Sequence, residues 1–451
     1  MRPPLGHNWK ASCQLCLPEP SGNLKLFKRR HAIGGSAIVL MAMLVLPSEK
    51  SLAQNAASVP SPPIDPPFDN SSDDIDNQLE VDDERADALF AIDPLEPLHG
   101  GWEQVTRQLR QTIGLELGLN YTSIYQRADE ARPNTQTEAG SGDLDFFGRW
   151  DLINPDSPLP GALVFATETR HRYTHIPPSN LGETVGSLWG TIDGFSTQSY
   201  TLTQLYWQQG SYEDRFVYRV GKMDPTDIFN AGRFVSSNSA FLSPAFSDTL
   251  AMASPSTGLG AAVAVSPITN TYVIGGLHDA NGAKTSIGHI ERGELFAAVE
   301  FGLTPRRGKS GEGLYHVTLW HSDKRDRVEV PSGRGVAVTL QQEVGPDGTI
   351  VPFARYSYGE GGATLIRQTL ALGVGLEQPF GQNRDLIGLG ISWGEPSNRT
   401  LRDQYVFEAF YRLRITPHTH LTPDIQVIFD PAENPQEDSI AIGSVRLRTL
   451  F

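Results

Sequence analysis

The chain has 451 residues, 52 of them acidic and 37 basic, which gives a formal net charge of −15 at pH 7. Only 2 residues are cysteine, 39 % are apolar, and the mean hydropathy is −0.29. These values exclude a bundle of membrane helices, which needs repeated apolar runs of about 20 residues, a nucleic-acid binder, which needs clustered Lys and Arg, and a disulfide-rich scaffold.

Residues 1–53 have the pattern of a secretory signal peptide. Basic residues between positions 25 and 30 precede an apolar stretch at 32–46, and the small residues Ser51 and Ala53 follow where signal peptidase reads. The alternative, a membrane anchor, needs a longer apolar run. We predict export with cleavage after Ala53. Cys13 and Cys16 have C-x-x-C spacing, but they lie upstream of this cleavage site, so no function is assigned to them.

Residues 54–100 differ in composition from the rest of the chain. They contain 12 acidic residues, a single basic residue, Arg85, and several prolines near the start. Such a segment buries too little apolar surface to offset its ordering entropy. We therefore predict a disordered acidic linker over 54–100, followed by a single domain over 101–451.

From Ile113 onward, apolar and polar residues alternate with period two, which is typical of β-strands with one apolar and one polar face. In the first such segment, Leu115, Leu117 and Leu119 alternate with Glu116 and Gly118. Similar segments recur to the end of the chain. We predict 16 strands, beginning near residues 112, 142, 162, 199, 215, 258, 270, 293, 313, 334, 351, 368, 385, 404, 419 and 440.

The gaps between the first strands alternate in length. Gaps one, three and five, around 128–141, 172–198 and 222–257, are long, whereas gaps two, four and six, around 153–161, 209–214 and 266–270, are short. A transmembrane barrel has short periplasmic turns at one rim and longer extracellular loops at the other. The prediction is an all-β fold, a transmembrane antiparallel β-barrel of about 16 strands. The aromatic terminal residue, Phe451, agrees with it.

Three stretches resemble the carbohydrate-selective porin family, the OprB-like outer-membrane porins of bacteria. They are residues 99–115, the segment Gly142-Asp143-Leu144-Asp145, and Val220-Gly221-Lys222-Met223-Asp224 with Asp227 and Asn230 after it. The resemblance implies a 16-stranded barrel, a short helix leading into the first strand, and passive diffusion of sugars. Residues 101–451 would then be an outer-membrane β-barrel porin domain.

The longest gap, 222–257, is the candidate for a loop that folds into the barrel and narrows the channel. The alternative is an ordinary long surface loop. Its first residues are polar and are pore-lining candidates: Lys222, Asp224, Asp227, Asn230 and Arg233.

Further candidates lie on the polar faces of the predicted strands. Arginine supplies several donors and carboxylates supply acceptors, a combination that suits sugar hydroxyls and that also ties barrel walls together. A register slip of one residue would exchange the two faces. These candidates are Asp145, Arg149, Glu168, Arg170, Arg219, Glu408 and Arg412.

Aromatic residues on the apolar faces are expected to form girdles at the membrane interfaces. The expected girdle residues are Tyr121, Trp150, Tyr206, Trp393, Tyr405 and Tyr411, whereas Phe147, Trp320 and Phe410 fall on the polar faces.

The predicted function is an outer-membrane porin for passive diffusion of carbohydrates and similar small polar solutes. The alternatives are an outer-membrane barrel enzyme, such as an esterase or glycan hydrolase, and a soluble secreted β-sheet binding protein. No catalytic residue, metal or cofactor is expected, and His418 and His420 lack further ligands nearby in the sequence. The expected partners are outer-membrane lipid and small sugars, with no nucleic acid, in a homotrimer or a monomer.

Overall fold

The computed structural model describes residues 75–76, 78–79, 88–90 and 94–451, with short gaps at 155–156, 158, 212–214, 306–310, 346–347 and 381–384. The signal peptide predicted at 1–53 lies outside the described residues and stays a prediction. No described helix is long and apolar enough to cross a membrane.

The helix α1 (Glu96–Ile113) leads into the first strand. Pro97 lies in its first turn, where its missing N–H costs no hydrogen bond. Gly114 ends the helix at φ 68°, a left-handed conformation that favours glycine, and its N–H donates to Arg110 O at 3.1 Å. The buried ring of His99 contacts the rings of His418 and Phe451. The short helix implied by the resemblance is confirmed.

The strands of the described chain form a closed antiparallel barrel in which each strand pairs with its neighbours in sequence and β1 pairs with β16. The predicted 16-stranded barrel is confirmed. The strands are β1 (Leu115–Ala128), β2 (Glu138–Ile153), β3 (Gly161–Arg172), β4 (Gln198–Ser211), β5 (Phe216–Met223), β6 (Gly258–Val265), β7 (Thr271–Asp279), β8 (Leu295–Leu303), β9 (Gly313–Ser322), β10 (Gly333–Gln342), β11 (Ile350–Glu360), β12 (Ile366–Glu377), β13 (Leu386–Pro396), β14 (Gln404–Thr416), β15 (Thr419–Phe429) and β16 (Ser439–Leu450).

Side chains alternate between the inside and the outside of the barrel, as the period-two pattern predicts. On β15, Thr422 and Gln426 are buried inside, whereas Ile425 and Phe429 are exposed on the outer surface. An apolar outer face is what lipid requires of a barrel wall.

Tyr206 departs from the predicted pattern. The β3–β4 pairing shifts register between Ala166 and Thr167, so Thr203 on β4 is an extra residue. The side chains of Thr203 and Tyr206 are both buried as a result. Such a bulge reverses the alternation beyond it. The prediction that Tyr206 belongs to an outer girdle is therefore wrong.

The connections between strands differ most in the first half of the barrel. The odd-numbered connections 173–197, 224–257 and 280–294 are long, and the even-numbered connections 154–160, 212–215 and 266–270 are short. Connection 173–197 contains a 3₁₀ turn (Pro178–Asn180) and α2 (Leu181–Val185). Connection 224–257 contains α3 (Thr226–Phe229) and α4 (Pro244–Ser247).

Two of these connections fold into the barrel and form much of its core. We call residues 173–197 the first inner loop and residues 224–257 the second inner loop. The ring of Phe241 in the second inner loop lies 5.0 Å from that of Phe410 on β14 and 5.6 Å from that of Phe353 on β11, measured between centroids. Gly390 on β13 leaves room for the second loop, since a Cβ there would lie 2.6 Å from Phe246 Cε1.

The described residues within 54–100 also make defined contacts. The side chains of Ile75 and Leu79 are buried, and the N–H groups of Leu89 and Phe90 donate to Arg414 O and Ile415 O at 3.1 and 3.0 Å. The linker as a whole stays a prediction, but these residues depart from the expectation of disorder.

Candidate functional site in the pore

Glu408, on the inward face of β14, holds the second inner loop by its backbone. Its two carboxylate oxygens accept hydrogen bonds from the N–H groups of Leu242 at 2.5 Å and Ser243 at 3.0 Å. All three residues are buried. A carboxylate that receives two backbone N–H groups satisfies donors that would otherwise be orphaned inside the barrel. The sequence placed Glu408 on the correct face, and its contacts make it a loop anchor.

Arg355, on β11, holds the same loop three strands away from Glu408. Its Nη1 donates to Phe246 O at 2.9 Å, and its Nη2 donates to Thr249 Oγ1 at 3.0 Å and to Asn230 Oδ1. Asn230 Nδ2 in turn donates to Ser247 O at 2.8 Å. The buried side chain of Asn230, a predicted pore-lining residue, therefore connects two parts of the loop.

Three more arginines complete this attachment. Arg412 donates to Ser239 O at 2.9 Å, and Arg446 donates to Ala240 O at 3.0 Å. Arg233, within the loop, pairs with Glu343, which lies just beyond the end of β10. It also pairs at 2.8 Å with Glu377 at the end of β12. The second inner loop is thus fixed to β10, β11, β12, β14 and β16.

Glutamine side chains hold the first inner loop. Gln404 on β14 accepts from the Leu188 N–H at 3.2 Å and donates to Ser187 Oγ at 3.0 Å. Thr191 donates to Gln126 Oε1 at 3.1 Å and accepts through its carbonyl from Gln426 at 2.9 Å. These neutral contacts place the first inner loop against β1, β14 and β15.

A charged group lies on the inward faces of β2 and β3, and we call it the β2–β3 charge cluster: Asp143, Asp145, Glu168 and Arg170. Oxygens of the three carboxylates lie within 4.8 Å of one another. Arg170 bridges two of them, with Nε 2.7 Å from Asp143 Oδ2 and Nη2 2.7 Å from Glu168 Oε2. The guanidinium offsets part of the acidic charge, so the cluster presents donors and acceptors side by side.

Arg149 and Arg219 also lie on the inner wall. Arg149 pairs with Asp151 at 3.0 Å and with Asp76 at 2.9 Å. The guanidinium of Arg219 donates to Gln208 Oε1 at 2.6 Å and stacks over the Tyr206 ring, 5.2 Å from its centroid. The prediction of an inward face is correct for both arginines.

Lys222 does not join the inner residues. It pairs across the sheet with Leu205 and Leu259, and Leu205 is exposed on the outer surface. Cross-strand partners share one face of the sheet. Its Nζ donates to Leu202 O and Lys284 O, both at 2.7 Å. The pore-lining assignment of Lys222 is corrected, because β5 continues to Met223 and alternation from Arg219 turns Lys222 outward.

The two aspartates at the start of the second inner loop make local bonds. Asp224 Oδ1 accepts from the N–H and the hydroxyl of Thr226, at 3.0 and 2.7 Å, and burial raises the pKa of Asp224. Asp227 Oδ2 accepts from Gln204 on β4 at 2.7 Å. Further along the loop, burial and the nearby charge of Asp193 raise the pKa of Asp248 to about 6.

The comparisons with known proteins agree with this architecture. The chain matches the family described as "Carbohydrate-selective porin, OprB family" over residues 159–451, which is more than half of its length. The chain belongs to this family. It is similar to Porin AaxA of Chlamydia abortus, 24 % identical over 307 residues, 66 % of this chain and 67 % of that one. It is also similar to Porin AaxA of Chlamydia muridarum, 23 % identical over 371 residues, 75 % and 79 % of the two chains.

A solved structure shows the same fold. The high-pH structure of Pseudomonas putida OprB matches with a TM-score of 0.64 at 15 % sequence identity, covering 78 % of this chain and 97 % of that one. As a member of the OprB family, this chain is a carbohydrate-selective porin, a β-barrel channel of the outer membrane whose solutes are sugars. The family resemblance is confirmed, and the barrel-enzyme and soluble-protein alternatives are set aside.

Sequence reasoning missed two features of this porin's interior. The candidate site residues did not include Arg355, although it shares the inward face of β11 with Phe353 and Ser357. The inward path of the first inner loop had no recognised signal. Its buried apolar residues, Leu181 and Val185, lie in a short helix within a long connection, and that pattern could have indicated a packed loop.

Proposed function

We propose that sugars cross this porin by passive diffusion along the inner faces of β2, β3 and β4, past the β2–β3 charge cluster. The observation that carries the proposal is the attachment of the inner loops to the opposite wall. Glu408, Arg355 and Gln404 are occupied by loop backbone or side chains there. By contrast, the side chains of Glu168 and Arg170 each keep 11 % of their surface exposed. The solute path is therefore assigned to the part of the wall where these two charged side chains remain partly exposed.

The chemistry of this wall suits polyhydroxylated solutes. A sugar hydroxyl both donates and accepts, so neighbouring guanidinium and carboxylate groups can bond two hydroxyls of one molecule. Each such bond replaces a bond to water and contributes only about 0.5–1.5 kcal/mol net, or roughly twice that for a charged partner. Weak bonds of this kind let a solute enter and leave, as passive transport requires.

The route of the protein to the membrane is a second part of the proposal. Export would depend on residues 1–53, and the mature chain would begin after Ala53; its basic and apolar stretches support this. N-terminal sequencing of the mature protein checks the cleavage site. Cross-linking in detergent distinguishes the trimer from the monomer.

Planar-bilayer recording tests the transport proposal. Full-length protein should give stepwise openings that particular sugars reduce, and deletion of residues 235–245 should raise the unitary conductance because it shortens the second inner loop. A matched control deletes residues 324–329 from the connection 323–332, where Lys324 and Asp326 are exposed. Folded protein without any conductance refutes the channel, and equal conductance in both deletions refutes the narrowing by the second inner loop.

A further inference from the structure

A short segment upstream of α1 lies inside the barrel. Ile75 is 2 % exposed and Leu79 is 8 % exposed. Both belong to one buried apolar cluster with Phe147 on β2, Val164 on β3 and Tyr206 on β4, whose side chains face inward. We call the described residues Ile75, Asp76, Gln78 and Leu79 the lumen segment.

Asp76 fixes the lumen segment to the wall by its charge. Its Oδ2 accepts from Arg149 Nη1 on β2 at 2.9 Å and from Gln208 Nε2 on β4 at 3.2 Å. The side chain of Asp76 is 18 % exposed and that of Arg149 is 22 % exposed. A carboxylate this far from water needs partners of this kind. Side chains from β2 and β4 therefore form a binding site for the Asp76 carboxylate.

The wall beneath the lumen segment has an apolar composition that suits an apolar occupant. Ala162, Val164, Val217 and Ala264 face inward and are at most 1 % exposed. The lumen of a water-filled barrel is polar. This part of the wall is not. Ile75 and Leu79 belong to the apolar cluster on it, together with Ile228 and Phe229 of the second inner loop.

The position of the segment is at the periplasmic side. Arg149 lies near the end of β2 that leads into the short connection 154–160, and short turns mark the periplasmic rim of such barrels. The chain is also attached at this rim by Leu89 and Phe90, which bond the carbonyls of Arg414 and Ile415 near the end of β14. The lumen segment thus attaches to the wall, and Leu89 and Phe90 attach the chain to the rim.

We propose that Ile75, Asp76, Gln78 and Leu79 act as an intramolecular plug that closes the periplasmic half of the pore when seated and opens it when released. The plug rests on the proposed function, because it occupies the β2 and β4 wall assigned above to the solute path. Its described contacts are two apolar side chains, one carboxylate and a 3.5 Å hydrogen bond from Asn120 Nδ2 to Gln78 Oε1, a set small enough to be reversible. The proposal makes Arg149 and Gln208 a receptor for the chain's own Asp76.

Planar-bilayer recording of full-length variants tests the plug. Asp76→Asn weakens the charged bond to Arg149, and the ratio of closed to open dwell time should fall about 10-fold, as expected for the loss of one charged hydrogen bond. Ile75→Asp with Leu79→Asp places two charges among apolar side chains and should remove the closures altogether. The matched control is Glu96→Gln, an exposed acidic residue at the start of α1, which should leave the ratio unchanged.

The outcomes separate the plug from the channel. Folded variants whose dwell ratio equals that of the unchanged chain overturn the plug, whereas absence of conductance in every variant overturns the proposed function instead. Labelling supplies a measurement that does not depend on the double variant. With Cys13 and Cys16 replaced by Ser, a cysteine at position 79 should react with a membrane-impermeant thiol reagent far more slowly than one at exposed position 90. Equal rates overturn the plug.

Discussion

The anchoring of the second inner loop by Glu408 can be tested by one substitution. Glu408→Ala removes both oxygens that accept the N–H groups of Leu242 and Ser243. These two residues are 1 % and 0 % exposed, so water cannot replace the lost acceptor without the loop moving. We expect the loop to detach from β14 near residues 242–243 while the barrel stays closed, since its strands pair independently of this contact.

The magnitude follows from the two orphaned donors. A buried N–H left without a partner costs about 1–3 kcal/mol, so the pair costs about 2–6 kcal/mol. That shifts the equilibrium between attached and detached loop roughly 30-fold to more than 10⁴-fold. The lower part of this range applies, because the substitution also removes a carboxylate whose burial itself costs free energy. Arg355 and Arg412 still bond Phe246 and Ser239 of the loop, so the detachment is confined to the residues between them.

Hydrogen exchange of the purified protein measures this equilibrium directly. The amides of Leu242 and Ser243 should exchange at least about 30-fold faster in Glu408→Ala, and single-channel recordings should gain additional conductance levels. Glu360→Ala is the matched control, since Glu360 is 45 % exposed and pairs with the exposed Arg334, a kind of pair that contributes about 0–1 kcal/mol. Unchanged exchange at both amides in the folded Glu408 variant would refute the anchoring role.

Two further predictions concern the charge of the pore interior. Arg170→Gln removes the cation that bridges Asp143 and Glu168, so the reversal potential in a KCl gradient should move toward potassium selectivity. The control Arg334→Gln, at the rim, should leave the reversal potential unchanged. An unchanged reversal potential in Arg170→Gln would contradict the assignment of Arg170 to the pore. Burial raises the pKa of Asp248 from 3.8 to about 6, so the folded protein binds more protons than the unfolded chain between these values and its stability should increase as the pH falls from 7.5 to 5. Asp248→Asn should abolish this part of the pH dependence of thermal unfolding, and an unaltered dependence rules out Asp248 as its source.

The strands could be predicted because lipid and lumen impose opposite requirements on successive residues. On β14, Tyr405 and Phe407 are exposed to the outside, while Val406 and Glu408 are buried inside, as alternation predicts. The pattern is local, so a single sequence contains it. Tyr206 shows the limit of this pattern. The bulge at Thr203 arises from pairing with β3, and the sequence of β4 does not indicate it.

The roles of the inner residues could not be predicted in the same way. Arg412 and Glu408 were placed on the correct face, but what they bond depends on where the second inner loop runs. That path is set by contacts between residues far apart in the chain, such as Leu242 and Glu408, which are 166 positions apart. Composition likewise gave no indication that Ile75 and Leu79 find apolar partners inside the barrel.

Glycines in the wall opposite the loop aromatics have a consequence for assembly. The spaces left at Gly375, Gly390 and Gly394 are filled by Phe234, Phe246 and Trp189. Strands β12 and β13 therefore form the pocket walls for loops that precede them in the chain. During synthesis these loops emerge before any surface that can bury them. The interior can be completed only after β12 and β13 are in place, and contacts across such long separations form slowly. A nascent chain truncated before these strands would present unburied aromatic residues, which makes them natural targets for periplasmic holding factors.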